Sequence, residues 1–124
     1  MKPQTWEAVL AEHEPAIAEA ARAVQRLLEA SLPGAAVQFD PGNGLLAIGT
    51  SAAMRDLVFA IIPHRAHVNL QLVDGVDLPN PDGLIEGTGK RIRHVKVRSA
   101  EAAGSRAIRE IVKAQIAQRP RPAE

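Results

Sequence analysis

At Leu32-Pro33-Gly34 the hydrophobic pattern changes its period from about 3.6 residues to about 2, and a helical period returns only after Ser99. That switch and return constrains the fold more than any other feature of the chain. Helices flank a block of strands instead of alternating with them. This is the pattern of an α+β layer pair, in which an antiparallel sheet carries its helices on one face.

Before the switch, residues 5–13 predict a short helix that Thr5 can cap, with Trp6, Val9 and Leu10 on one side. Pro15 then restarts the helix, because a proline in the first turn gives up no needed N–H. Ile17, Ala20, Ala21, Val24, Leu27 and Leu28 keep the spacing of a buried stripe up to Leu32. After the switch, residues 36–39 and 45–49 predict a hairpin around the turn at 40–44. The apolar run 56–62 is rich in β-branched and aromatic residues, which favours a strand, with a short helix at its start as the alternative. Residues 67–73 alternate, with Val68, Leu70 and Leu72 on one side and His67, Asn69 and Gln71 on the other. Residues 93–98 predict the last strand. Residues 99–118 predict the final helix, with Ile108, Ile111, Val112 and Ile116 buried and Gly104 leaving its start at 100 or 105. The short connections at 40–44 and 63–65 imply antiparallel pairing. The expected fold is therefore α-α-β(5)-α, a five-stranded antiparallel sheet with helices packed on one face. One domain spans residues 1–118, and 119–124 are expected to be a disordered tail.

The chain has no cysteine, which excludes disulfides, thiolate zinc sites and a cysteine nucleophile. No basic-then-apolar leader and no apolar run of about 20 residues is present, so the expectation is a soluble, cytoplasmic protein with no membrane partner. Net charge is only +1, but residues 90–98 carry five cations and no acid. Charge is thus informative locally, not globally.

The segment 74–90 has no clear period and contains the glycine loop Gly87-Thr88-Gly89 followed by Lys90 and Arg91. Its spacing fails the phosphate-loop pattern, and it precedes a strand instead of a helix. Its backbone N–H groups can still form an anion nest backed by Lys90 and Arg91. The simpler reading is glycines that permit a tight turn. If strand 93–98 lies beside 67–73, then His67, Asn69, Gln71, His94, Lys96 and Arg98, with Arg93 at the strand's start, offer an open face suited to an anion. No aromatic stands among them for base stacking, which weakens a nucleic-acid reading. His64 and His67 are three residues apart, so on a strand they point to opposite faces unless the turn re-aims one. A three-histidine site with His94 is the metal-binding form of that idea. Glu7, Glu12, Glu14 and Glu19, with Asp40, supply hard oxygen ligands, although an ordinary solvated helix surface explains them as well. No nucleophile elbow or paired metal motif is present, and Asp82 with His94 is the one acid–base pair to consider.

The stretches His67-Val68-Asn69-Leu70, Leu78-Pro79-Asn80-Pro81-Asp82-Gly83-Leu84-Ile85-Glu86-Gly87-Thr88-Gly89-Lys90 and Arg93-His94-Val95-Lys96 resemble the YdhG-like family, a domain family of unknown function. The resemblance keeps both order and spacing over about thirty residues. It implies an α-β(5)-α domain similar in outline to frataxin, and some relatives are described as intracellular iron chaperones. The chain departs from the family at Leu72-Val73, where aromatics are usual, and at Val37-Gln38-Phe39-Asp40, where the family carries a methionine–proline strand. The expected function is a non-enzymatic binding domain for a small anion or an acidic protein, on the open sheet face and the glycine loop. The alternatives are a chaperone that holds Fe(II) weakly through Glu7, Glu12, Glu14 and Glu19, and a nucleic-acid accessory protein. No cofactor beyond such loosely held iron is expected, and the chain is expected to be a monomer or homodimer.

Overall fold

A computed structural model describes residues 2–118, so the expected tail at 119–124 lies outside the described residues. Helix α1 spans Trp6–Ala11, and the Thr5 hydroxyl caps it by accepting from the Ala8 amide at 3.1 Å. Helix α2 spans Pro15–Ser31 and buries Ile17, Ala20, Ala21, Val24 and Leu28. The strands are β1 Ala36–Asp40, β2 Leu45–Gly49, β3 Leu57–Pro63, β4 Val68–Leu72, β5 Ile85–Glu86 and β6 Arg93–Val97. Helices α3 Ala100–Ala103 and α4 Arg106–Gln118 close the chain.

The α+β class holds, with one correction: the sheet has six strands, in the order β1-β2-β3-β4-β6-β5, every neighbouring pair antiparallel. The strand that the sequence hides is β5. Two residues are too short to show a period, and only pairing with β6 makes them a strand. The run expected at 56–62 is strand, and its helical start is a single 3-10 turn at Met54–Asp56. Both expected starts of the last helix exist. Ser99 caps α3 through the Ala102 amide at 3.0 Å, Gly104 ends it, and α4 begins at Arg106.

The helices cover one face of the sheet. Ala20, Ala21, Val24 and Leu28 of α2 share a core cluster with Ile48, Phe59, Ile61, Leu70, Leu72, Val95 and Val97. Burying each of the larger side chains stabilises the fold by about 1.5–3 kcal/mol. Trp6 reaches Phe39 at 6.4 Å between ring centres, which anchors α1 over the β1 edge. Among the described residues no helix covers the residues of opposite parity, and that face carries polar side chains such as Gln38, Asn69, Gln71, His94 and Lys96.

Candidate functional site

Strand registers place one straight row on the open face: Gln38, Ala47, Ala60, Gln71, His94 and Glu86, from β1 to β5. The next row includes Ile62, Asn69 and Lys96. His67 and Arg98 share this parity just beyond the strand ends. The structure therefore brings His67, Asn69, Gln71, His94, Lys96 and Arg98 to one face, as the alternation predicts.

At one end of that face the backbone turns so that the His64 amide donates to the His67 carbonyl at 2.8 Å. The turn re-aims His64, and the two imidazoles stack with centres 4.9 Å apart and planes 27° apart. The His67 imidazole is held below its ordinary value by burial first, then by the charges of His64, Lys96 and Arg98. The Asn69 side chain works weakly in the other direction. Lys96 also pairs with Glu86 at 3.5 Å, with a third of its own side chain still exposed. His94 stands opposite Gln71, four residues along β4 from His67, which at about 3.3 Å per residue sets it roughly 13 Å away. The three histidines are therefore not grouped.

The glycine loop is tied to the rest of the protein by two arginines. Arg91 is drawn to Asp74, a buried carboxylate 2.5 Å away. Arg93 falls on the opposite parity from His94 and Lys96, across from Leu72, and its Nε donates to the Gly89 carbonyl at 2.8 Å. Both arginines thus tie the loop to the body of the protein, and Arg91 keeps 65% of its side chain exposed. Of Gly87, Thr88 and Gly89, only Gly87 has a positive φ, at 118°. Lys90 and Thr88 are exposed.

The N-terminal carboxylates do not converge. Glu7 is paired with Arg22 at 2.8 Å, and Glu12 and Glu14 line a surface cavity with His13 and Arg65, away from Glu7 and Glu19. Among the described residues, no group of three or more His, Asp or Glu side chains is placed to hold a metal ion. The carboxylate opposite His94 is Glu86, not Asp82. No helix of the described residues is long and apolar enough to cross a membrane.

One feature escaped the sequence reading. Beside the polar rows, the open face sinks into a trough of about 490 Å³ floored by Ala36, Ala47, Gly49 and Ala60, with Leu57, Gln38 and Gln71 at its sides. Its roof is the 51–54 segment, which reads in sequence as a plain connection. Ser51 Oγ donates to Asp56 Oδ2 at 2.6 Å and accepts from the Ala53 amide at 3.0 Å, so the roof is fixed. The available signal was a small residue facing the same side in each of three neighbouring strands, Ala36, Ala47 and Ala60, with Gly49 beside them in β2. Comparison of the chain with protein-family models, with curated proteins and with solved structures finds no match.

Proposed function

We propose that the protein is a non-enzymatic, YdhG-like binding domain that holds a small anion on its open sheet face, between His67, Asn69, Lys96 and Arg98. The observation that supports this is the positive field converging on His67. Burial first, and then the charges of His64, Lys96 and Arg98, disfavour its protonation, and Glu86 offsets only part of the Lys96 charge. An arriving anion relieves that repulsion. Binding therefore raises the His67 pKa, and the complex takes up a proton when the pH lies between the free and bound values.

The test is a titration with inorganic phosphate at several pH values, followed by the imidazole NMR signals. The expected result is one saturable site, an upward shift of the His67 pKa, and affinity lowered at least about tenfold by Lys96→Ala with Arg98→Ala. Lys90→Ala separates this face from the glycine loop and is expected to leave affinity unchanged. A His67 pKa indifferent to phosphate, or binding that depends on Lys90 alone, would overturn the reading.

A further inference from the structure

We infer that the physiological ligand is an amphipathic organic acid whose compact apolar body lies in the trough over β2 and β3 and whose anionic head reaches His94 and Lys96. This rests on the proposed anion site through Lys96, the one residue that the head shares with it, and names the part of the ligand that the site leaves undescribed. The row Ala47, Ala60, Gln71, His94 passes without a break from trough to polar face. Two strand spacings separate Ala60 from His94, about 10 Å, so one small molecule spans both.

Shape, stiffness and charge support the assignment. The floor is made of Ala36, Ala47, Gly49 and Ala60, none of which has a side chain beyond Cβ, so it lies close to the sheet backbone. A volume of about 490 Å³ lies within the usual range for small-molecule sites, roughly 300–1,000 Å³. The roof is tied by the Ser51–Asp56 and Ala53–Ser51 hydrogen bonds, which lower the ordering cost of ligand binding there. Met54, on that roof, is 83% exposed and offers a polarizable thioether to an apolar body.

The two ends of the trough differ in charge, which fixes orientation. At the β1 end stands Asp40, whose carboxylate accepts from the Asn43 side chain at 2.8 Å and the Gly42 amide at 2.9 Å. Those bonds hold it ionised, and although Lys2 at the same turn offsets part of its charge, the carboxylate disfavours an anionic head at this end. At the β4 end stands Gln71, and beyond it on the same face come His94 and Lys96, with Glu86 offsetting part of the Lys96 charge. An acid with an apolar body fits in one direction only.

The probe is 1-anilinonaphthalene-8-sulfonate, titrated into the full chain and followed by fluorescence and amide NMR. Inorganic phosphate and neutral N-phenyl-1-naphthylamine run in parallel. The expected result is a single site whose shift changes centre on Ala47, Ala60, Gln71 and His94, with the neutral analogue bound several-fold more weakly. Ala47→Leu, at a half-buried floor position, is expected to weaken the sulfonate at least about tenfold by filling the trough while phosphate affinity stays the same. Should that variant fail to fold, Met54→Asp at the exposed roof is expected to produce the same loss by repulsion. Phosphate binding as proposed, with the sulfonate indifferent to both variants, overturns this inference alone. Equal binding of the neutral analogue in the trough, with no phosphate binding, overturns both the inference and the anion site beneath it.

Discussion

The Asn69 side-chain oxygen is the one buried side-chain polar atom among the described residues that lacks a well-formed hydrogen bond. Such an atom costs about 1–3 kcal/mol relative to a satisfied one. A proton on His67 would help to satisfy it, but burial and the neighbouring charges outweigh that pull, and the imidazole stays below its ordinary value of 6.5. The unfolded chain then binds this proton more readily than the folded one. Stability from His67 is fully present above 6.5 and is lost as the pH falls through the lower folded value. Urea unfolding at pH 7.5 and 5.5 is expected to show the loss in the native chain, and His67→Gln is expected to flatten it. An unchanged slope in that variant would mean another group carries the pH dependence. The same scale shows where sequence reading stops. Lys96 and Arg98 announce themselves by alternation within one strand. Arg91 looked equally available, yet its partner Asp74 lies 17 residues back, and charge alone does not say which cations are already paired.

At the scale of elements, α2, β4 and α4 were legible because each repeats its period often enough to exclude the alternative. The strand β5 and the trough's roof were not, since neither repeats anything. Gly49 shows what the roof requires instead. A Cβ there would collide with the Asp56 carbonyl oxygen, which also accepts from the Thr50 amide at 3.0 Å. The end of β2 and the start of β3 approach backbone to backbone, beside a bulge that leaves Val58 without a partner in β2. Gly49→Ala is therefore expected to destabilise the fold by about 1–3 kcal/mol through overpacking. The same change should move the amide signals of residues 50–56 more than those of β4 or β6. A thermal melt with an amide spectrum checks both. A stable variant with an undisturbed 50–56 segment would show that the close approach is not needed.

For the whole molecule, the layer order followed from where the period switches, but the insertion of β6 between β4 and β5 did not, because sheet order is set by contacts between distant segments. The long loop between β4 and β6 is held by one such contact set. Asp74 is 5% exposed; its backbone N–H donates to Gln115 Oε1 at 3.0 Å, and its carboxylate accepts from Gln115 Nε2 at 3.0 Å and from Arg91. Gln115 sits on α4 and is fully buried, so this polar triad joins the two ends of the loop, at Asp74 and Arg91, to the last helix. Asp74→Ala strands the Gln115 amide in the core and is expected to cost about 2–4 kcal/mol. Gln115→Leu removes the opposite partner but leaves Asp74 its exposed arginine, so it should cost less, about 1–2 kcal/mol. If the triad acts as a unit, the double variant costs less than the sum of the two, by at least about 1 kcal/mol, because no amide is left to strand. Denaturant unfolding of the four chains measures that difference directly. Simple additivity would mean that the loop is held by the apolar anchors Leu78 and Ile85, with the triad a passive passenger in the core.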